Sequence, residues 1–291
     1  MSNQRLPIVL AHGIARFDIL LEELRAQFQF PETQLGDRFQ YFKGIKSHLE
    51  SRGFQVFHPN QDFAGSVSLR AEQLRDRVNE VLAATGAQKV HIIAHSMGGL
   101  DARHMIVDKG MAEKVASVTT IGTPHLGTIL ADHVIDHGGF LLKAALRPVI
   151  NLDGFDDLRI GPCEEFNRRA QHDEATNSVQ YRTFASSEVL LQVFLPLMGS
   201  AKFIGDHAGR NDGLVPFASQ AWTKELIAND GTRKPVVQKE FPLAADHLNQ
   251  VGWWDPQEAA NPLKLLQNVL KQKEDYESQI RDVYLQIAQS L

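Results

Sequence analysis

Cysteine is almost absent from this sequence: Cys163 is the only one among 291 residues, so no disulfide can form within the chain. No apolar run reaches the roughly 18 residues of a membrane span, and residues 1–7 lack the apolar core of a signal peptide. Basic residues form no long run and the net charge is −5, which excludes an evident nucleic-acid surface. These absences predict a cytoplasmic protein without a transmembrane segment, with export without a cleaved leader as the alternative.

The stretch from Val90 to Leu100 carries the clearest chemical signal. Apolar and β-branched residues lead directly to Ser96, and a helix-compatible run follows. A strand that turns sharply into a helix strains the residue at the turn, so the positions two before and two after it must be small. Ala94 and Gly98 meet this requirement, and Gly99 adds a further small residue. The pattern A-x-S-x-G also occurs by chance, but in this setting it predicts a nucleophilic serine.

Short apolar runs alternate with helical patterns along most of the chain. Apolar residues at helical spacing predict helices at 37–52, at 66–84 and after Ser96. Strand–helix alternation of this kind indicates right-handed βαβ units and an α/β fold with a doubly wound, mainly parallel sheet of about six strands. The expected strands are residues 6–11, 54–57, 89–94, 115–121, 179–185 and 235–241.

The alternation stops from Thr128 to about Gly205, where apolar residues and glycine pairs divide the chain into short segments. We expect a single domain over 1–291 that contains a lid or cap insertion at 128–178. A lid would cover an acyl-binding cleft, whereas a static helical cap is the alternative. The segment 261–291 has an apolar face typical of a long helix, which we expect to pack against the sheet; a dimer contact or interfacial role is the alternative.

A serine nucleophile needs an imidazole to take its proton and a carboxylate to orient that imidazole. The chain order Ser, Asp, His and the preceding strands predict Ser96, Asp212 and His247 as a catalytic triad. Asp246 is disfavoured as the acid because neighbouring side chains on one turn rarely point at each other. The alternatives in the same regions are Asp206, His207 and Asp246.

Five motifs occur together in a fixed order between residues 10 and 252. In this combination the sequence resembles the bacterial family I true lipases, which are triacylglycerol lipases of the α/β-hydrolase fold. The motifs are Leu10-Ala11-His12-Gly13, Ala94-His95-Ser96-Met97-Gly98-Gly99, Gly122-Thr123-Pro124-His125-Leu126-Gly127, Asn211-Asp212-Gly213-Leu214-Val215 and His247-Leu248.

This resemblance implies an α/β-hydrolase fold with a helical lid, and hydrolysis of acylglycerol esters at an oil–water interface. It also implies an oxyanion hole formed by the backbone N–H groups of Ile14 and Met97. The residues expected in the lid and acyl cleft are Leu126, Leu141, Leu142 and Leu146.

The chemistry itself needs no cofactor, but the resemblance implies a structural calcium near the catalytic histidine. The family has an aspartate ligand two residues after that histidine, where this chain has Asn249. A neutral amide binds a hard cation more weakly than a carboxylate does, and no acid matches the other family ligand, so the sequence does not favour calcium but leaves it open.

Three other functions share this pattern of residues. A soluble carboxylesterase would differ only in its cleft and lid, and an acyltransferase would pass the acyl group to an alcohol instead of water. A non-catalytic ligand-binding scaffold is the alternative of another class, although such proteins usually lose a triad residue. The sequence leaves the oligomeric state open.

Overall fold

A six-stranded parallel sheet forms the centre of the computed structural model, which describes residues 5–14, 40–58, 65–136, 142, 144, 146, 154–253 and 266–291. The predicted α/β fold with about six parallel strands is therefore confirmed. A separate antiparallel pair lies outside this sheet. The strands are β1 (Ile8–Ala11), β2 (Val56–Phe57), β3 (Val90–His95), β4 (Val115–Ile121), β5 (Gln180–Ala185), the antiparallel pair β6 (Glu225–Ile227) and β7 (Arg233–Pro235), and β8 (Val237–Glu240).

The strand order places the loops that follow β1 and β3 beside each other, at the carboxyl ends of the strands. The order is β2-β1-β3-β4-β5-β8, so the chain runs outward from β1 to β2, returns past β1 to β3, and then continues in the other direction. Ligands of such sheets bind beyond the carboxyl ends of the strands, at the point where the order reverses. The loops that begin there, after β1 and β3, contain His12 to Ile14 and Ser96.

Helices cover both faces of the sheet. The second of them begins after Ser66, whose side chain accepts a hydrogen bond from the Leu69 N–H, and ends at Gly86 in the left-handed region (φ 70°). The helices are α1 (Ile45–Glu50), α2 (Val67–Thr85), α3 (Met97–Asp108), α4 (Ile129–Asp136), α5 (Ile160–Thr176), α6 (Met198–Ala208), α7 (Phe217–Ala221) and α8 (Leu266–Gln289).

Alternate residues of the central strands enter two different cores, because successive side chains point to opposite faces of a strand. Ile8 and Leu10 of β1 pack in the core that includes α1 and α8. Val9 and Ala11 pack in the core that includes α2 and α3. Burial on both faces explains why the strands appear in the sequence as continuous apolar runs.

The helix α8 packs through its apolar face against the core around α1. Ile280 and Tyr284 are fully buried there, and Lys43 forms an ion pair with Glu277 at 2.5 Å between Nζ and Oε1. Among the residues that the structure describes, no helix is both long and apolar enough to span a lipid bilayer.

Candidate active site

Ser96 occupies a strained turn between β3 and α3. Its backbone has φ 56° and ψ −136°, a combination that L-residues rarely adopt. Small residues make the turn possible: a Cβ placed on Gly98 would lie 2.5 Å from the Ala11 carbonyl oxygen, and one on Gly99 would lie 2.2 Å from Thr123 Oγ1. The turn therefore has the geometry that the sequence pattern predicts for a nucleophile.

His247 and Asp212 complete a hydrogen-bonded line from the serine. His247 Nε2 lies 2.8 Å from Ser96 Oγ, and His247 Nδ1 lies 2.7 Å from Asp212 Oδ2. All three side chains are buried, so water competes little for these hydrogen bonds. In this arrangement Nδ1–H donates to the carboxylate and Nε2 is free to accept the serine proton.

The loop after Asp212 holds the carboxylate in place. Asp212 Oδ1 accepts hydrogen bonds from the backbone N–H groups of Leu214 (3.0 Å) and Val215 (2.8 Å). The backbone N–H of His247 also donates to the Asp212 carbonyl at 2.8 Å. These backbone donors engage Oδ1 and leave Oδ2 to face the imidazole.

The alternative candidates for the acid and the histidine, Asp206, His207 and Asp246, are not directed at Ser96. Asp206 and His207 lie exposed on α6, where Asp206 pairs with Lys202 at 2.7 Å and His207 Nδ1 donates to the Phe203 carbonyl at 2.8 Å. Asp246 is buried, and burial raises its pKa to about 6, but its carboxylate accepts backbone N–H groups from other residues. Of these candidates, the structure brings only Asp212 and His247 to the serine.

The loop after β1, His12 to Ile14, is the one expected to supply an oxyanion donor and is called the oxyanion loop below. It lies directly against Ser96. A Cβ placed on Gly13 would lie 2.6 Å from Ser96 Cβ, so only a glycine allows this approach. Ile14 follows it and lines the cavity beside Ser96. Met97 begins α3, where backbone N–H groups have no partner within the helix and the helix dipole favours negative charge. Ile14 and Met97 thus both lie next to Ser96, and their role as oxyanion donors stays a prediction.

An arginine that the sequence analysis did not single out supports this loop. Arg70 Nη2 donates to the His12 carbonyl at 2.6 Å, and Nε donates to Asp101 Oδ2 at 2.9 Å. Arg70 and Asp101 are fully buried, so the ion pair connects the loop to α2 and α3. One signal was available: Arg70 lies on the apolar stripe of α2 formed by Val67 and Leu74, where a charge needs a buried partner.

A small cavity adjoins the triad. Its volume is about 20 Å³, which is close to the space of one water molecule. Apart from Ser96 and His247, the lining is mainly apolar. It consists of Ile14, Tyr41, Pro124, Thr128, Phe155, Leu158, Leu214, Val215 and Leu248.

The leucines expected in the acyl cleft are not among the described residues that line this cavity. Leu126 is exposed, and its backbone N–H donates to Ser219 Oγ at 3.0 Å. Leu146 is fully buried in the core, and Leu142 packs against the same core. Leu141 lies outside the described residues. Periodicity in a sequence identifies apolar faces but does not say which of them borders a cavity.

Asp246 and Asn249, which lie on either side of His247, do not fit a calcium ion. Asn249 Oδ1 accepts the Asp246 N–H (3.3 Å), and Asn249 Nδ2 donates to the Trp253 carbonyl (2.8 Å). The Asp246 carboxylate accepts the N–H groups of Phe194, Leu248 and Asn249 at 2.7–2.9 Å. Calcium needs six to eight oxygen ligands, and in the described part of the chain no three His, Cys, Asp or Glu side chains cluster as metal ligands.

We therefore expect thermal unfolding to be independent of calcium. Calcium at 100 times its Kd would add about 2.7 kcal/mol to the free energy of unfolding, and would raise Tm by about 4–5 °C in a chain of this size. Differential scanning calorimetry in calcium and in EDTA tests this directly. A Tm higher by that amount in calcium would contradict it, and Asn249→Asp provides the comparison with a carboxylate at the same position.

Comparison with known proteins gives a consistent result. A family model described as alpha/beta hydrolase fold matches residues 7–195. Triacylglycerol lipases of Pseudarthrobacter phenanthrenivorans and Burkholderia plantarii are each 41% identical over 135 residues, which is 45% of this chain and 37% and 33% of theirs. The matched segment thus covers about a third of these relatives. The mature Bacillus licheniformis lipase BlEst2 has a similar fold, with a TM-score of 0.60 and 19% identity over 85% of this chain and 86% of that one.

Proposed function

The chain belongs to the alpha/beta hydrolase fold family, and on this premise we propose that it hydrolyses the carboxylic esters of acylglycerols, as a triacylglycerol lipase. One observation carries the proposal: Ser96 Oγ, His247 and Asp212 form a continuous hydrogen-bonded line beneath the oxyanion loop. Similarity to triacylglycerol lipases supports the choice of an acylglycerol ester as the substrate.

The reaction passes through an acyl-enzyme. Ser96 Oγ attacks the ester carbonyl carbon while His247 Nε2 takes its proton, and the Ile14 and Met97 N–H groups stabilise the oxyanion. When the C–O bond to the alcohol breaks, His247 returns the proton to the leaving oxygen. Water then attacks the acyl-enzyme by the same route and releases the carboxylic acid and the free serine.

The acyl chain requires more space than the cavity beside Ser96 provides. A volume of about 20 Å³ is far below the 300 Å³ or so of a typical ligand pocket. Phe155 and Leu158 line the cavity and belong to the expected insertion at 128–178. Their position supports a lid that must move to admit substrate, and the lipid surface is the partner that would favour its open form.

The initial rate on a short-chain triglyceride, measured across its solubility limit, tests this proposal. We expect the rate to rise sharply once emulsion droplets form, because the interface stabilises the open lid. The Ser96→Ala variant provides the blank at every concentration.

The other outcomes separate the alternatives. Saturation below the solubility limit would indicate a soluble carboxylesterase or a permanently open cleft. Transfer of the acyl group to an added alcohol in preference to water would indicate an acyltransferase. Absence of any Ser96-dependent rate, together with no labelling by a fluorophosphonate, would indicate a ligand-binding scaffold.

A further inference from the structure

A second line of hydrogen bonds reaches Asp212 from behind the triad. Gln250 Nε2 lies 2.9 Å from Asp212 Oδ2, the oxygen that faces His247. Gln250 Oε1 lies 2.9 Å from His95 Nε2, and His95 Nδ1 lies 2.6 Å from Tyr41 Oη. Gln250 and His95 are fully buried and Tyr41 is nearly so, which makes each of these bonds costly to leave unmade.

The direction of every bond in this line follows from one fact. An ionised carboxylate only accepts hydrogen bonds, so Gln250 must present its amide NH₂ to Asp212 and its carbonyl oxygen to His95. His95 then carries its proton on Nε2, and its Nδ1 accepts the hydroxyl hydrogen of Tyr41. This requires a neutral imidazole, and burial holds the pKa of His95 well below its usual value.

At its far end the line reaches the oxyanion loop. The Gly13 backbone forms a hydrogen bond to Tyr41 that acts to lower the tyrosine pKa, which makes Gly13 the donor. A donated N–H leaves the hydroxyl hydrogen of Tyr41 available for His95. Donors and acceptors thus alternate consistently from the oxyanion loop to the triad carboxylate.

The surrounding residues are shaped to hold Gln250. A Cβ on Gly122 would lie 2.1 Å from Gln250 Oε1, so a glycine is needed there. The Gln250 carbonyl accepts the Tyr284 hydroxyl of α8 at 3.0 Å, which ties its backbone to the C-terminal helix. Gln250 does not line the cavity beside Ser96, so it contacts the acid without facing the substrate.

We propose that Gln250, oriented by His95 and Tyr41, is a positioning residue that holds the Asp212 carboxylate against His247. Two donors share Oδ2, and Gln250 prevents this oxygen from turning away when the imidazolium forms. The role rests on the proposed ester hydrolysis, since it assigns a function to the same triad. The titratable groups facing the carboxylate are His247, His95 through Gln250, and Asp246.

The Gln250→Ala variant tests the proposal. We expect kcat on p-nitrophenyl butyrate to fall about 10- to 100-fold, the effect of losing one hydrogen bond to a charged group, while KM changes less than about twofold. The acid limb of the kcat/KM profile moves to lower pH, because a carboxylate that is free to turn away stabilises the imidazolium less. Rates are divided by the active-enzyme concentration, measured by fluorophosphonate titration.

Gln250→Glu keeps the side-chain volume and supplies a variant that packs like the wild type. Once ionised, its carboxylate adds a negative charge that favours the imidazolium, so we expect the acid limb to move to higher pH, opposite to its direction in Gln250→Ala. Gln238→Ala is the matched control, because Gln238 Nε2 donates only to the Ala221 carbonyl, away from the triad. A lower Tm with kcat and the acid limb unchanged would reduce Gln250 to a packing role and overturn the proposal.

A double-mutant cycle with Tyr41→Phe tests whether the line acts as one unit. The double variant should be little slower than Gln250→Ala alone, whereas multiplicative losses would show that Tyr41 acts independently. The tautomer of His95 provides a readout without substrate. Nitrogen-15 spectra should show a neutral His95 ring protonated at Nε2. Protonation at Nδ1 would overturn the proposed line of hydrogen bonds. This result does not depend on whether the protein hydrolyses esters.

Discussion

Replacement of Ser96 by alanine should lower kcat by about 10⁴- to 10⁶-fold, the range found when serine hydrolases lose their nucleophile. The change removes one oxygen atom, which makes the covalent acyl-enzyme impossible. It leaves the oxyanion loop and the imidazole in place, so a small residual rate over water should remain. At about 1.36 kcal/mol for each factor of ten, the loss corresponds to roughly 5–8 kcal/mol of transition-state stabilisation.

Steady-state hydrolysis of p-nitrophenyl butyrate, with enzyme folding checked by Tm, measures this effect. Ser200→Ala is the matched control, because Ser200 is equally buried and its Oγ donates to the Leu197 carbonyl at the start of α6. We expect that control to retain nearly full turnover. Retention of more than a tenth of wild-type kcat by Ser96→Ala would remove Ser96 from the nucleophile role.

Asp212→Asn should lower kcat by about 10³- to 10⁴-fold with the fold intact. The new amide oxygen can still accept from the Leu214 and Val215 N–H groups. The amide NH₂ then faces His247 Nδ1 and donates to it, so the imidazole carries its proton on Nε2. An imidazole in that tautomer cannot accept the proton of Ser96, and the nucleophile is no longer activated.

The matched control is Asp206→Asn, because Asp206 is exposed on α6 and pairs with Lys202. We expect this variant to keep wild-type kcat. Its free energy of unfolding should fall by no more than the contribution of a surface ion pair, about 0–1 kcal/mol. Comparison of kcat for the two variants decides the acid. A crippled Asp206→Asn beside an active Asp212→Asn would show that the acid assignment is wrong.

The fold was predictable because its signals are local. The apolar residues of β3 enter both cores, Val90 and Ile92 on one face and Ile93 on the other, and such a run is typical of a strand covered on both faces. Strand ends were less predictable, since pairing partners set them. Pro235 was expected to begin the last strand, but it pairs with Glu225 in the antiparallel pair, and only Val237–Glu240 join the main sheet.

The lining of the cavity beside Ser96 could not be predicted from local sequence patterns. Leu126 and Leu146 are the same residue type, yet Leu126 is exposed and Leu146 is fully buried in the core. The cavity lining comes instead from several separate parts of the chain, including Ile14 and Leu248. Hydropathy predicts whether a side chain is buried, but it does not predict whether that side chain lines a cavity or packs in the core.

The sequence by itself predicted the strained turn at Ser96, which the structure has, and the chain order of the three proposed catalytic residues. A strained turn such as the one at Ser96 depends on the few small residues around it, and these are contiguous in the chain. Tertiary structure alone decided which acid faces His247, how Arg70 supports the oxyanion loop, and that Gln250 meets His95. His95 and Gln250 are 155 residues apart, and hydrogen bonds act only over about 3 Å, so folding must first bring such residues together.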